Sequence, residues 1–380
     1  MDCFSQAALM YDGRTYTLTF VVDPEVKMLD NTIHKLRYSP ADIRSTFQDG
    51  ALRDIINTEA FRRLQSIHFL GSIDFITNPS ARGVEDRHTR FDHSLAVGSL
   101  ALQFTRALDL PENDQRTIVA AALLHDIGHA PLSHSLEPAL KSAFELDHHI
   151  IGERILRGEV RLGLKLVDAF QRWNINNVNV MCLIAGVGDG IGRELFSRSI
   201  NVDTIEGITR SATYIYRRPV VMNPVSIIDA LVRLGVQSQD LLDDFWTLKN
   251  EVYSKLIQSR TGLLADFICK RYVENNVSSF DSSYYYGKDS ELRSDHSYLF
   301  EALHAFGRRG IISPEIVRDG EDMSFKRREF FIDKSVVLKK YRDLDRRYLQ
   351  RKFNVCFTIR KKGGDDAHQI YEHRKSEDLF

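Results

Sequence analysis

Apolar residues recur at helical spacing along most of the chain. Leu95, Val97, Leu100, Ala101, Phe104 and Leu108 predict one helix that runs toward Pro111. Pro111-Glu112-Asn113-Asp114 reads as a turn and cap, and in the helix that follows Ile118, Val119, Ala121, Ala122, Leu123 and Leu124 leave almost no polar position over nearly two turns. Such a segment is buried. Upstream, Asn57-Thr58-Glu59 caps a helix within residues 55–71 whose apolar face is Phe61, Leu64, Ile67, Phe69 and Leu70, and Gly71 ends it. Downstream, Pro138 and Asp147-His148-His149 open two more helices, and residues 160–184 alternate helical apolar sets with Asn-rich turns. Ser199 to Glu206 starts another helix with Asp203 in its first turn, and the helical period persists from Pro224 to about residue 275.

Strand signals are few. Residues 14–22, after an Asp-Gly turn signal, predict one arm of a small hairpin, and residues 353–359 predict a strand near the C-terminus. Residues 186–192 form a glycine-rich linker without the Lys-Ser/Thr of a phosphate loop, and residues 278–297, rich in Ser, Tyr and Asp, predict a long loop. A densely charged helix is expected over residues 334–351, and a frayed tail after Lys361. The fold class is mainly α: a helical bundle with a small N-terminal β segment and a C-terminal α+β extension.

Composition narrows this picture mainly by exclusion. The chain has 51 Lys plus Arg against 52 Asp plus Glu, so no global charge draws it to nucleic acid or to an anionic membrane. Arg308-Arg309 and Lys326-Arg327-Arg328 keep nucleic acid open as a partner, but such runs read first as solvated faces. Cys3, Cys182, Cys269 and Cys356 are scattered and suggest a reduced compartment without a disulfide framework. No signal pattern and no apolar run near the about 20 residues of a membrane span is present, so a cytoplasmic protein is expected, with no membrane partner.

Histidine changes the picture more than charge does. Of 13 His residues, seven lie between positions 88 and 149. At the end of the buried helix, His125 and Asp126 arrive side by side, and each would lose hydration at a cost of several kcal/mol unless compensated. A divalent cation compensates both, and His129 and His134 follow on the turn made by Gly128 and Pro131. His93 and Asp203 each sit in the first turn of an apolar helix, so His93, His125, Asp126 and Asp203 can converge in one bundle core as metal ligands.

The order His, His-Asp, distant Asp resembles the HD-domain phosphohydrolase superfamily. Four blocks are similar to its deoxynucleotide triphosphohydrolase branch, over roughly residues 33–275: Phe61-Arg62-Arg63-Leu64-Gln65-Ser66-Ile67-His68-Phe69-Leu70-Gly71, Thr89-Arg90-Phe91-Asp92-His93-Ser94-Leu95, His125-Asp126-Ile127-Gly128-His129-Ala130-Pro131-Leu132-Ser133-His134 and Asn201-Val202-Asp203. The resemblance implies an HD-domain catalytic core (33–275); the N-terminal β segment (1–32) and the C-terminal α+β extension (276–380) are additions outside it. It implies a divalent transition metal (Fe, Mn, Zn, Co or Ni) on His93, His125, Asp126 and Asp203, with Mg or Mn on the phosphates of a dNTP substrate. His134 matches the catalytic His, and Glu137 the acid that pairs with it and favours its cationic form. His129 and His148 match further active-site histidines near phosphate, Arg90 a phosphate-contacting arginine. Leu70 falls in the block that contacts base and sugar, and Tyr253 is aligned with the aromatic below the sugar.

Three departures bear on substrate rather than on metal. Phe69 stands where the branch often has Gln, Thr204 where a Lys follows the last metal Asp, and Gly207 where an aromatic stands. The implied activity is hydrolysis of a dNTP, such as dGTP, to deoxynucleoside and inorganic triphosphate. Beside it stand an HD-type phosphohydrolase or phosphodiesterase acting on another nucleotide or an oligonucleotide, and a nucleotide-sensing or nucleic-acid-binding regulator. The resemblance further implies a homo-oligomer, often a tetramer, with a nucleotide activator at subunit interfaces, and a role in dNTP pool control or antiviral defence.

Overall fold

Burial of the apolar helix ahead of His125 organises the first of two units. In the computed structural model, which describes residues 4–11, 14–21, 39–76, 88–188, 192–216, 222–233, 236–332, 348–361 and 368–375, the chain is mainly α-helical. It divides into two compact units that interleave along the sequence: residues 1–61, 92–125 and 156–248, and residues 62–91, 126–155 and 249–380.

In the first unit, every residue of Thr117–Leu124 in the helix Glu112–Leu124 is buried. That helix packs on Gly50–Ile56 and Asn177–Ile184. The helix Arg90–Ala107 runs close beside it, because Gly98 has no side chain: a Cβ there would lie 2.8 Å from Leu123 Cγ. His93 in one helix and His125 at the C-cap of the other thus belong to closely packed backbones. The expected N-terminal hairpin is present as Phe4–Tyr11 and Arg14–Val21, in antiparallel register with Tyr11 opposite Arg14.

The helix expected to open at Asn57-Thr58-Glu59 does so, but it is short: Glu59–Arg63 passes into a 3-10 turn, Leu64–Ser66, instead of running to Gly71, and a separate helix, Gly50–Ile56, precedes it. Thr58 divides the two helices, since its Oγ1 donates to the Ile55 carbonyl and accepts from Phe61 N, closing one and starting the next.

In the second unit, the helix Arg260–Asn275 packs against Glu137–Phe144 and Ser297–Arg309, and Ser297–Arg309 also packs on Ile73–Ile76. A π-turn, Tyr253–Ile257, precedes it, which the helical period did not reveal. Three antiparallel strands, Asp322–Ile332, Tyr348–Lys361 and His368–Lys375, form a sheet with Tyr348–Lys361 central. Met323, Tyr348, Val355, Phe357, Ile359 and Ile370 are buried in it, and Phe325 packs edge-on against Phe267 and Phe357.

Three C-terminal expectations are corrected. Residues 348–351 are strand rather than helix, with Tyr348 opposite Ile332, while residues 334–347 of that expected helix lie outside the described residues. Part of the expected tail, His368–Lys375, is a strand held by pairing from Asn354↔Lys375 to Lys361↔His368. The expected loop 278–297 contains 3-10 turns at Val277–Ser279 and Ser282–Tyr286 and the helix Asp289–Asp295. It is anchored by Tyr285, fully buried, whose hydroxyl donates to the Leu146 carbonyl, and by Asp289, 5% exposed. The loop at residues 78–83 lies outside the described residues.

Backbone proximity leaves no room for a side chain at Gly128. A Cβ at Gly128 would land on the His148 carbonyl oxygen and the Gly152 nitrogen, and backbone cannot swing aside as a side chain can. Gly128→Ala should therefore cost about 3 kcal/mol or more. A Cβ at Gly152 meets its nearest atom, Ile127 Cγ2, at 3.5 Å, so Gly152→Ala should be neutral or stabilising. Denaturant melts of the two variants read the contrast.

Candidate active site

Among the described residues two histidine clusters form, one in each unit. In the first, His93 is fully buried in the first turn of Arg90–Ala107, His125 caps Glu112–Leu124, and Asp203 lies in the first turn of Val202–Tyr216, where Asn201 Oδ1 accepts from Thr204 N at 2.7 Å. His93 Nε2 is 3.2 Å from His125 Nε2 and 3.0 Å from Asp203 Oδ1, and His125 Nε2 is 3.6 Å from Asp203 Oδ1.

The far nitrogens of both rings fix what the near ones carry. His93 Nδ1 faces the Glu206 carboxylate, and His125 Nδ1 lies 2.8 Å from the Ala122 carbonyl. Both partners only accept, so each Nδ1 carries a proton and Nε2 is the atom each ring has left to give a cation. These two nitrogens and a carboxylate oxygen then meet within 3.6 Å. That donor set fits a divalent cation, whose ligand atoms at about 2.0–2.2 Å stand roughly 3 Å apart.

Glu206 and Arg210 complete this cluster, and the sequence reading did not single them out. Arg210 Nη2 lies 2.6 Å from Glu206 Oε1, its Nε donates to the same carboxylate at 2.8 Å, and its Nη2 also donates to the Asp92 carbonyl at 3.2 Å. Burial pushes the Glu206 carboxyl up, but the Arg210 guanidinium and His93 outweigh it and hold it down at about 2. Asp203, Glu206 and Arg210 stand three, then four residues apart, on one face of a helix.

In the second unit, His129, His134, Glu137 and His148 each offer a ligand atom within 4.8 Å of one another. Leu132 and Ser133, both left-handed at φ 55° and 50°, deliver His134 outward, with 62% of its side chain exposed. Glu137 Oε2 is 3.1 Å from His134 Nδ1, while Oε1 is 2.5 Å from His148 Nδ1 and accepts from His148 N. One carboxylate therefore orients two imidazoles. Burial raises the Glu137 carboxyl, and hydrogen bonds from His134 and His148 overcome that and hold it well below the usual carboxylate range. His129 is 1% exposed, its ring stacked 4.2 Å from that of His148, and burial with the nearby Arg90 charge keeps it neutral.

Asp126 follows His125 directly in the chain and belongs to the second unit, where Arg90 Nη1 donates to its Oδ2 at 2.7 Å. Arg90 also donates to Ser133 Oγ at 3.0 Å and to the Phe69 carbonyl at 3.1 Å, and lies over the Phe69 ring. Leu70 is half-buried, its N–H donating to Asp74. Tyr253 stands in the π-turn, edge-on to Phe330 with Arg328 over its ring.

Three further groups hold the second cluster's loop. Arg63, buried, donates to the carbonyls of Ile127 (2.7 Å), His129 (2.9 Å), Gly287 (3.0 Å) and Tyr285 (3.3 Å). Asp289 accepts from Leu132 N at 2.8 Å and from His68 N at 2.9 Å, with His68 Nδ1 at 2.5 Å. Asp266 accepts from Ser135 Oγ at 2.6 Å and Ser72 Oγ at 2.8 Å.

Residues 90–185 match the HD domain family. The chain thus carries an HD domain over about a quarter of its length. Among its relatives, the deoxynucleoside triphosphate triphosphohydrolase SAMHD1 of Gallus gallus is 35% identical over 131 residues, 30% of this chain and 20% of that protein. An uncharacterized protein of Mycoplasma pneumoniae is 47% identical over 90 residues, 22% of this chain and 19% of the relative. The match thus spans about a fifth of the length of both relatives. A hypothetical protein from Aquifex aeolicus, whose crystal structure was determined at 2.0 Å, shares the fold at a TM-score of 0.61 and 16% identity, over 82% of this chain and 92% of its own. No helix among the described residues is long and apolar enough to cross a membrane.

Two outcomes are expected. Glu206→Gln, which leaves His93 Nδ1 without its carboxylate, should weaken metal affinity roughly 10- to 100-fold, read by chelator competition. Burial raises the Asp266 carboxyl above its ordinary 3.8, against the hydrogen bonds from Ser135 and Ser72. Its contribution is therefore fully present below that ordinary value and lost as pH rises through the raised one. Asp266→Asn, which does not titrate, should cost more stability at pH 4 than at pH 8 in melting curves; a pH-independent cost would show an ordinary carboxyl.

Proposed function

We propose that the protein is a divalent-metal-dependent dNTP triphosphohydrolase, which converts a dNTP and water into deoxynucleoside and inorganic triphosphate. The observation that carries this reading is the convergence of His93 Nε2, His125 Nε2 and Asp203 Oδ1 within 3.6 Å. Its support beyond geometry is the similarity to SAMHD1, whose name states that activity.

His93, His125 and Asp203, with Asp126 as fourth ligand, would hold the cation, one of Fe, Mn, Zn, Co or Ni. Bound there, it supplies positive charge for a phosphate and acidifies water. Attack falls on the α-phosphorus, and the bond to the deoxyribose 5′-oxygen breaks. His134, backed by Glu137, protonates that leaving oxygen. His129 and His148 face phosphate oxygens, joined by Mg or Mn carried in with the nucleotide. Arg90 has N–H donors left after its three bonds, and these reach phosphate while the bonded ones set Asp126. Leu70 and Tyr253 flank base and sugar. A homo-oligomer such as a tetramer, with an activating nucleotide at its interfaces, belongs to the same proposal, as does an intracellular role in dNTP control or antiviral defence.

Thr204 and Gly207 favour a second reading, phosphohydrolysis of another nucleotide or an oligonucleotide end, because both positions depart from the dNTPase pattern. A nucleotide-sensing regulator is the third. Incubating metal-loaded protein with each dNTP singly and as a mixture, followed by anion-exchange chromatography, separates them. Deoxynucleoside plus triphosphate, abolished by Asp126→Ala, is the expected result, and turnover only in the mixture would show an activator. Monophosphate as product, or tight binding without turnover, would overturn it.

A further inference from the structure

We infer that His129, His134 and His148, aligned by Glu137, form a second transition-metal site whose occupation by Zn2+ switches the protein off. The site is made by residues of the second unit alone and shares none with His93, His125 and Asp203. Its donors are already arranged. Glu137 takes the Nδ1 atoms of both His134 and His148, so the nitrogen each ring has left for a cation is Nε2. A carboxylate on the far nitrogen is the usual outer support of a zinc-bound histidine.

His129 supplies an independent pointer. It is 1% exposed, yet neither ring nitrogen has a hydrogen-bond partner; Nε2 passes 3.2 Å from Asp126 Oδ1 without hydrogen-bond alignment. A buried imidazole left in that state costs about 1–3 kcal/mol, which a Lewis acid would repay. Three imidazoles with an open fourth position suit Zn2+ far better than Mg2+, which prefers oxygen.

One ligand atom from each of His129, His134, Glu137 and His148 lies within 4.8 Å of the others, which keeps the three rings within reach of one cation, and a tetrahedral zinc site draws its donors to roughly 3.4 Å. His134 is exposed enough to turn inward. Binding forms the bond from His134 Nε2 to zinc and releases the proton of that nitrogen to solvent. His134 then has no proton to give a leaving group. This inhibitory consequence rests on the proposed triphosphohydrolase reading; the binding itself does not.

The test uses the full chain as purified, dialysed against buffered micromolar free Zn2+ and analysed for metal, alongside turnover of dNTP. One zinc per chain beyond the as-purified content is expected, absent in His148→Ala and weakened roughly 10- to 100-fold in Glu137→Gln. His129→Ala serves if His148→Ala does not fold, as judged by its melting curve. No extra equivalent, or an extra equivalent retained in both histidine variants, would overturn the site. If dNTP turnover is absent throughout, the metal count still decides the binding. If turnover is present and survives the extra zinc, the switch is overturned while the site stands.

Discussion

The hydrogen bond on the outer nitrogen of each imidazole decides what the inner nitrogen can do, and the first cluster depends on that. Glu206 behind His93 and the Ala122 carbonyl behind His125 force both protons outward. The two Nε2 atoms then face each other at 3.2 Å, where a cation can take both. Glu206 must stay ionised in a buried place to do this, and Arg210 is what keeps it so. Arg210 in turn donates to the carbonyl of Asp92, the residue before His93. The chain of support closes on the ligand it serves. Removing one partner of such a buried pair costs about 3–5 kcal/mol because the other charge is stranded.

The second cluster depends on backbone rather than on charge alone. Two consecutive left-handed residues that are not glycine, Leu132 and Ser133, cost about 1–2 kcal/mol each and persist only where the surroundings dictate them. Asp289 takes Leu132 N, while the Ser133 hydroxyl donates to the His68 carbonyl and accepts from Arg90. On the other side of the turn, Arg63 gathers carbonyls from Ile127 and His129 and from Tyr285 and Gly287. A guanidinium suits this because its donors are fixed in a plane and can hold several carbonyls at once.

What could be read from the sequence was what periodicity marks. His93, His125 and Asp203 stand at the ends of apolar helices, so a polar residue there breaks the period and draws notice. Glu206 and Arg210 were legible in principle, on the face that Asp203 begins, but only once that face was known to be inward. Arg63, Asp266 and Asp289 were not legible. Their partners lie 64 to 224 residues away along the chain, and no local pattern encodes such a contact. The stretch 278–297 misled for a related reason. Its Ser, Tyr and Asp content has the composition of a loop, yet Tyr285 and Asp289 are buried because each has found a partner inside. His368–Lys375 reads as a charged tail, because a strand that pairs along one edge needs few apolar residues.

Glu137 explains why the second cluster can serve either a proton or a metal. Its two oxygens are engaged by different rings, so one negative charge is divided between His134 and His148. Exposure separates the two rings: His134 has 62% of its side chain open to solvent, and His148 has 15%. The outer ring is therefore the one that can meet a substrate and exchange a proton, while the inner ring, stacked on His129, stays as fixed structure. A cation entering from solvent meets the same outer nitrogen first. Proton delivery and zinc capture then compete for a single lone pair on His134.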